Sequence, residues 1–298
     1  MEYQIEDHGN EKIYRITWQS QPIVTRAYIK IRNLIMRSSD YGIVTEKEKS
    51  VTKKILEKIN LHYKSNVSIA QYISIRNVII KQKIIQNHHI LASKIDEVRD
   101  EYHRGVDIVK LSRKYDFPPS NLLKNILLAN GLDKDKISAI FRNKLDPAKY
   151  LSGRDMEQFE CAENNDANSV RNQVVGAKVA FDNETLAVNY FRDIGIKCKT
   201  QYDLADEQME QYGKVIITPD VLFIDPVYIN GTRIYWVDYK NYVGTDIKFI
   251  YGSNNEQAKK YNKKFGRGAM CYRHSFVDNV MIPQTMLLSA DAIDVAYR

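Results

Sequence analysis

Residues 214–242, KVIITPDVLFIDPVYINGTRIYWVDYKNY, form two apolar runs separated by Asn230-Gly231. An Asn-Gly pair favours a tight hairpin turn, because both central residues of that turn need a positive φ angle. The stretch therefore predicts two antiparallel strands. Side chains alternate along a strand, so Asp238 and Lys240 are expected on one face and Tyr239 on the other. Folding of the hairpin would bring Asp220, from the first strand, alongside them.

Asp220, Asp238 and Lys240 are charged residues in runs that are largely apolar. Charged side chains are rarely buried unless they are paired, bind a metal or take part in chemistry. An Asp-x-Lys pattern alone is equally consistent with a structural ion pair at a strand end, and a Pro-Asp pair with an ordinary turn. The meaning of the three charges therefore depends on the rest of the chain.

Composition limits the class of protein. The chain has 298 residues, enough for two modest domains, and a net charge of +7. This charge weakly indicates a polyanionic partner, although a lysine-rich surface alone would give the same value. Cys161, Cys198 and Cys271 lie far apart without a Cys-x-x-Cys pattern, so neither a zinc site nor a disulfide framework is expected. With no signal peptide or membrane-spanning segment, we expect an intracellular protein in a reducing compartment, the cytoplasm or nucleus.

The sequence predicts three segments. Residues 1–44 hold a short strand and a short helix, to which no role is assigned. Residues 45–160 are expected to be an all-α, helix-turn-helix-like region that binds nucleic acid. Residues 161–298 are expected to be an α/β domain, and an acidic and polar stretch over residues 151–169 marks the boundary before it.

The first half of the helical region concentrates positive charge. Thr45 with Glu48 and Ser68 with Gln71 have the spacing of capping boxes, which predicts two helices. Residues 41–90 contain nine Lys and Arg against three Asp and Glu. Such a concentration suits contacts with phosphates, for which we select Lys53 and Lys54, whereas a solvated helical face is the alternative interpretation.

Residues 107–131 resemble a helix-turn-helix. One short helix precedes a break at Pro118-Pro119, and a second helix is expected to be capped by Ser120. Leu111 and Leu122 would pack the two helices together. The second helix offers few side chains that could read bases, so a small helical domain that does not read bases remains an alternative, and a protein partner on these helices is left open. The candidate base readers are Asn121, Lys124 and Asn125.

The remaining elements complete a mixed sheet flanked by helices. Helices are expected over residues 172–194 and 255–265, and strands over residues 196–200 and 269–272, in addition to the hairpin. The first of these helices carries Glu184. The second carries Gln257 and Tyr261, which are four residues apart and therefore lie on one helical face.

In this order and on these elements, Glu184, Pro219-Asp220 and Asp238-x-Lys240 resemble the PD-(D/E)xK nuclease superfamily. A narrower resemblance is to the TPD-domain family within it. That resemblance covers residues 180–270 and, more loosely, 45–280, and it implies a restriction-endonuclease-like C-terminal domain. One departure is Asp238, which stands where the human member of the family has Glu, so the reach of this carboxylate and the metal geometry differ. The motifs shared with the family are Thr218-Pro219-Asp220, Asp-x-Lys after a hairpin, Gln257-Ala258-Lys259-Lys260-Tyr261 and Phe265-Gly266-x-Gly268.

Phosphodiester hydrolysis needs positive charge at the phosphate and an activated water, which Mg²⁺ or Mn²⁺ supplies from oxygen ligands. Asp220, Asp238 and the backbone carbonyl of Tyr239 are the expected ligands, and Glu184 would act through water or hold a second ion. Lys240, beside two carboxylates, should stay protonated and stabilise the transition state. The resemblance implies that Gln257 and Tyr261 line the active site. The basic residues expected around the substrate strand are Lys259, Lys260, Lys263, Lys264 and Arg267.

We therefore expect a metal-dependent DNA endonuclease in which water attacks phosphorus in line, leaving 5′-phosphate and 3′-hydroxyl ends as the superfamily resemblance implies. Branched, flapped or partly single-stranded DNA is the expected substrate, because few base-reading side chains are available. Two alternatives stay open: a non-catalytic DNA-binding or adaptor protein built on a retired nuclease fold, and an RNA nuclease.

Overall fold

The structure is a computed structural model that describes residues 2–9, 11–291 and 293. The chain divides into two compact units. The first unit consists of residues 1–28, 58–74 and 179–298, and the second of residues 29–57 and 75–178. In the described part of the chain, no helix is both long enough and apolar enough to cross a membrane.

The strands and the helices next to them make up most of the first unit. The strands are β1 (Glu2–Asp7), β2 (Lys12–Thr17), β3 (Cys198–Thr200), β4 (Val221–Ile229), β5 (Thr232–Lys240), β6 (Gly268–Tyr272) and β7 (Thr285–Ser289). The helices are α1 (Thr25–Met36), α2 (Glu46–Tyr63), α3 (Ile69–Ser93), α4 (Ile95–His103), α5 (Ile108–Tyr115), α6 (Pro119–Ala129), α7 (Lys134–Phe141), α8 (Gly153–Asn164), α9 (Val170–Asp193), α10 (Gln201–Tyr212) and α11 (Lys248–Phe265), with a 3-10 turn at Pro147–Lys149.

All seven strands join one sheet in the order β1-β2-β4-β5-β6-β7, with β3 also paired to β4. Pairs β4–β5, β1–β2 and β3–β4 are antiparallel, whereas β2–β4, β5–β6 and β6–β7 are parallel. The expectation of a mixed sheet flanked by helices is confirmed.

The N-terminal region taken as a whole was expected to be all-α, and this is wrong, because β1 and β2 belong to the sheet; the short strand expected within residues 1–44 corresponds to β2. Strand β2 alternates buried and exposed side chains, with Tyr14 and Ile16 packed in the main core beside Phe191 and Val227. It also pairs in parallel with the distant β4. Pairing between segments so far apart in the chain has no local sequence signal, which is why no role could be assigned to this strand.

The hairpin is confirmed. Asn230 and Gly231 connect β4 to β5 with φ angles of 49° and 77°, both in the left-handed region that the turn requires. Asn230 does more than turn the chain. Its side-chain Oδ1 accepts a hydrogen bond from the Trp18 backbone N–H at 2.8 Å, and its Nδ2 donates to the Trp18 carbonyl at 2.9 Å. One turn residue thus fixes both the hairpin and the end of β2.

Asn230→Gly is expected to lower the free energy of unfolding by about 2 kcal/mol, because two partly buried hydrogen bonds each contribute about 1 kcal/mol. Glycine keeps the positive φ angle, so the variant isolates the bonds to Trp18 from the turn itself. Urea denaturation of both proteins measures the effect. An unchanged midpoint would show that these two bonds do not hold β2 in place.

Two elements of this unit were not predicted from the sequence. Residues 201–212, expected to be a polar connection, form α10, opened by a capping box between Thr200 and Asp203. Only Leu204 and Gln208 of this helix are buried, so it lacks the apolar periodicity that signals a helix. Strand β7 pairs in parallel with the buried β6 and was also missed.

The second unit packs around helices α4 to α8. Leu111 of α5 and Leu122 of α6 are fully buried in one core, as expected. The expected capping boxes are both formed: Thr45 with Glu48 in this unit, and Ser68 with Gln71 in the first unit.

Two expected boundaries in this unit differ. Pro118, rather than Ser120, precedes the first turn of α6, and Ser120 is buried with its hydroxyl donating to the Ala162 carbonyl. The polar stretch 151–169 contains α8, because Phe159 and Ala162 anchor one of its faces in the same core.

Candidate functional site: a buried carboxylate–lysine cluster

The candidate site lies where β4 begins and β5 ends. Pairing of Val221 with Val237 brings Asp220, directly before β4, next to the end of β5. Asp220 Oδ2 accepts a hydrogen bond from the Tyr239 backbone N–H at 2.6 Å. Asp238 is 2% exposed and forms an ion pair with the mostly buried Lys240. The expected sharing of one strand face by Asp238 and Lys240 is therefore confirmed.

Helix α11 completes the cluster through Gln257 and Tyr261. Lys240 Nζ donates to Gln257 Oε1 at 2.8 Å. The two amide hydrogens of Gln257 are directed to Asp238 Oδ1 at 3.3 Å and Tyr261 Oη at 2.8 Å. The Tyr261 hydroxyl donates to the Thr218 carbonyl at 3.1 Å. Because every member is bonded to the next, the network fixes the side chains at the ends of β4 and β5 before any substrate is present.

Glu184 of α9 adds a third carboxylate. It is partly buried, and its Oε1 accepts a hydrogen bond from Gln201 Nε2 at the start of α10. The neighbouring Asn183 donates to Asn241 Oδ1 at 3.4 Å, which joins α9 to the end of β5. Gln201 was not predicted as a site residue, because the sequence of α10 was expected to form a polar connection and gave no signal at its first residue.

The electrostatics of the site are dominated by excess negative charge. Burial raises the pKa of Asp220 to about 8, and the charges of Asp238 and Glu184 add to the rise. Burial also raises the pKa of Glu184, with a further contribution from Asp238. Burial raises the pKa of Asp238 as well, against the opposing effect of Lys240.

Lys240 behaves differently from a lysine buried alone. Burial acts to lower the pKa of Lys240, but the charges of Asp238, Tyr242 and Asp220 and the hydrogen bond to Asp238 together outweigh it, and the pKa lies above the ordinary value of 10.5. Lys240 is therefore an ammonium at neutral pH, as the sequence suggested. One ammonium faces three carboxyl groups, so ionising all three would leave two negative charges without compensation, which is consistent with the raised pKa of Asp220.

This charge imbalance suits a divalent cation. The available donors are carboxylate oxygens, which Mg²⁺ and Mn²⁺ prefer, and a bound cation would offset both the burial and the repulsion that raise the carboxylate pKa values. Within the described ranges, no group of three or more His, Cys, Asp or Glu side chains stands close enough together to form a preassembled metal cage. The residues fit the ion by charge and donor type.

Asp220→Asn is expected to stabilise the metal-free protein at alkaline pH. The pKa of Asp220 is raised from 3.8 to about 8, so between these values the folded protein keeps a proton that the unfolded chain has released. Stability therefore falls as the pH rises through this window. At about pH 9 the variant should exceed the wild type by at least about 1.4 kcal/mol, the equivalent of one pKa unit.

Urea denaturation in EDTA across this pH range measures the difference. Asp206→Asn is the matched control, because Asp206 is exposed on α10 and should leave the pH dependence unchanged. A wild-type stability that stays flat from about pH 4 to 9 would contradict the proposed repulsion.

The nucleic-acid-binding candidates lie in two groups. The exposed lysines of α11, with Arg267 after the helix, form a basic surface on the first unit. Lys259 of this group is paired with Glu256 at 2.7 Å. In the second unit, Lys124 faces inward over the Phe141 ring at 4.6 Å. The remaining candidates are Lys260, Lys263 and Lys264 on α11, exposed Lys53 and Lys54 on α2, and partly buried Asn121 on α6.

Fold and site together define an α/β protein with a buried cluster of carboxylates, lysine and glutamine at the ends of two inner strands of a mixed sheet. The family of proteins of unknown function with the TPD sequence motif matches residues 153–292, so this chain contains a TPD sequence-motif domain. The Thr218-Pro219-Asp220 tripeptide lies within these residues. So do all six clustered residues: Glu184, Asp220, Asp238, Lys240, Gln257 and Tyr261.

A relative of matching length is the uncharacterized protein L539 of Acanthamoeba polyphaga mimivirus. It is 24% identical over 295 residues, which cover 95% of this chain and 97% of the viral protein. The similarity therefore extends through both units rather than the matched domain alone. No solved structure matches the chain.

Proposed function

We propose that this protein is a metal-dependent DNA endonuclease of the PD-(D/E)xK superfamily, with a restriction-endonuclease-like fold in its first unit. The observation that carries the proposal is the buried cluster of Asp220, Asp238 and Lys240 with Glu184 beside it. Placing three carboxylates together with a single ammonium is unfavourable unless a cation completes the arrangement. A purely structural ion pair needs neither Asp220 nor Glu184.

Asp220, Asp238, the Tyr239 carbonyl and Glu184 would hold Mg²⁺ or Mn²⁺. When bound, the ion would lower the pKa of a water and neutralise charge on the phosphate. Lys240 donates to the developing negative charge and orients the attacking water, because it is protonated and fixed in place by Asp238 and Gln257. Restricting that ammonium to one position is electrostatic preorganisation, which costs no rearrangement during the reaction.

Gln257 and Tyr261 support this arrangement from α11. Gln257 holds Lys240 and Asp238 at the same time, so it fixes the distance between the ammonium and the metal-binding carboxylate. Tyr261 in turn holds Gln257 and the carbonyl of Thr218, directly upstream of Pro219-Asp220. Both act as positioning residues for the cluster.

The substrate proposed is branched, flapped or partly single-stranded DNA. The exposed lysines of α11 would contact phosphates on either side of the scissile bond, giving affinity without base reading. Lys53 and Lys54 would add contacts of the same kind from α2. Asn121 and Lys124 are less suited to reading bases in a groove, since Lys124 faces Phe141.

The test is incubation of the full chain with labelled duplex, flap and junction DNA and with matched RNA strands, in Mg²⁺, Mn²⁺ or EDTA. We expect DNA cleavage that requires the metal, with flap or junction substrates cut faster than plain duplex. Cleavage of the RNA strands but not of DNA would show that the substrate is RNA. Salt-sensitive DNA binding without cleavage in any metal would favour the adaptor function and refute the nuclease.

A further inference from the structure

The second unit contains a cavity of about 630 Å³ lined by one face of α6 and one face of α7. Lys124 and Leu128, one turn apart, come from α6. Ile137 and Phe141, also one turn apart, come from α7. A cavity of this size falls within the range that holds a small organic ligand.

Positive charge converges on this cavity. Lys124, Lys134, Arg142 and His88 line it, and none of its lining residues is Asp or Glu. In the described part of the chain, neither Lys124, Lys134 nor Arg142 has a salt bridge to a carboxylate. Cations gathered in a lining that contains no carboxylate repel one another, so an anion placed among them would be stabilised.

Lys124 is the most buried member of this group of cations. Burial lowers the pKa of Lys124, and the charge of Arg142 lowers it further, against Glu163 and Asp166. Neither carboxylate is hydrogen-bonded to Lys124 in the described residues, although Glu163 Oε1 is buried without a hydrogen-bond partner. Asp166 accepts backbone N–H bonds from Ser120 and Asn168, and Glu163 accepts one from Arg171. The Lys124 ammonium therefore lies over the Phe141 ring without a hydrogen-bonded anion.

The rest of the lining suits a flat, polar-edged group. The Nδ2 of Asn125 donates to the Asn121 carbonyl at 2.7 Å, and the Nε2 of Gln173 donates to the Asn168 carbonyl at 2.7 Å. Both amide oxygens are therefore left as hydrogen-bond acceptors at the cavity. Leu128 and Ile137 supply apolar surface. A fatty acid would leave these amides unpaired, whereas a nucleobase with an exocyclic amino group would pair with them.

We propose that this cavity binds one nucleotide, with its phosphate at Lys124 and Arg142 and its base against Leu128 and Ile137. The ligand is either a free nucleotide or the phosphorylated terminal nucleotide of a DNA strand. The two sources share a phosphate monoester joined to a nucleoside. The proposal does not depend on the nuclease activity, since none of these residues belongs to the carboxylate–lysine cluster.

The test is calorimetric titration of the full chain with dAMP in EDTA, which removes any contribution from a metal site. We expect dAMP to bind at least about tenfold more tightly than inorganic phosphate or deoxyadenosine, because each fills only part of the cavity. Lys124→Met and Arg142→Gln should each weaken dAMP binding at least about tenfold, since each removes a charge-assisted hydrogen bond.

Two controls make the result specific. Lys110→Gln changes an exposed lysine of α5 outside the cavity and should bind dAMP as the wild type does. Asp238→Asn should also bind dAMP normally, so loss of cleavage and loss of nucleotide binding are separable. Arg142 is exposed, so its variant remains informative even if Lys124→Met fails to fold.

Competition identifies the source of the ligand. Stronger displacement of dAMP by a 5′-phosphorylated oligonucleotide than by its 5′-hydroxyl counterpart would assign the cavity to a strand end. Equal displacement by the two oligonucleotides, together with tight binding of dAMP in the direct titration, would assign the cavity to a free nucleotide. Equal dAMP affinity in the wild type and both cavity variants, or no dAMP binding, would overturn the proposal.

Discussion

Lys240→Ala should lower the rate of metal-dependent DNA cleavage by about a hundredfold to a thousandfold, the effect typical of removing one preorganised donor to developing charge. The loss should exceed that of an ordinary surface lysine because the ammonium is buried, protonated and held by Asp238 and Gln257. Single-turnover cleavage of a flap substrate in Mg²⁺ measures the effect directly, without a contribution from product release.

Binding and control measurements locate this effect in the chemical step. DNA affinity in Ca²⁺ should change less than about threefold, because the proposed phosphate contacts lie on α11 and α2 rather than on Lys240. Lys12→Ala is the matched control, since Lys12 is an exposed strand lysine of the same sheet. If Lys240→Ala cleaves DNA at the wild-type rate, Lys240 has no part in catalysis, and its ion pair with Asp238 is structural.

Gly268→Ala should lower the free energy of unfolding by about 3 kcal/mol, at the upper end for overpacking in a core. A Cβ atom at Gly268 would lie 2.1 Å from ring atoms of Trp236, which is fully buried. The ring has little room to move, because its Nε1 donates to the Gly266 carbonyl at 2.9 Å and its face meets Tyr261 edge-on. Urea denaturation of the wild type and the variant measures the loss, provided that the unfolding free energy of both proteins falls with the same slope against urea concentration.

Displacement of Trp236 would also disturb the candidate site, because Trp236 packs against Tyr261, which is hydrogen-bonded to Gln257 and to the segment before Asp220. Gly268→Ala should therefore reduce cleavage even under conditions where the variant remains folded. Gly252→Ala is the control. Gly252 lies in α11 with open space at its Cβ position, so alanine should stabilise the helix by about 1 kcal/mol. Equal stability of the two variants would contradict the packing argument.

Local signals were sufficient for the part of the site that lies in one hairpin. Asn230-Gly231 specified the turn, and alternation placed Asp238 and Lys240 on one face. Helical spacing then placed Gln257 and Tyr261 together on α11. Each of these inferences depends on residues close in the chain, where backbone geometry and side-chain period determine the outcome.

The features that were not predicted lack a local apolar pattern. The place of β2 in the sheet is set by its parallel pairing with the distant β4, and α10 begins with a capping box rather than an apolar stripe. Gln201 could not be connected to Glu184 until α10 was known. The inward orientation of Lys124 likewise follows from the packing of α7 on α6, which no feature of α6 alone specifies.

The bond between Asn230 and Trp18 spans 212 positions of the chain. During synthesis, β1 and β2 leave the ribosome long before their partner strand exists, so the sheet closes only when nearly the whole chain is available. A truncated fragment beginning at residue 161 would lack β2 and leave the Val227–Ile229 edge of β4 open to pairing with other copies. Such a fragment should aggregate, and biochemical work on the cluster requires the N-terminal strands on the same polypeptide.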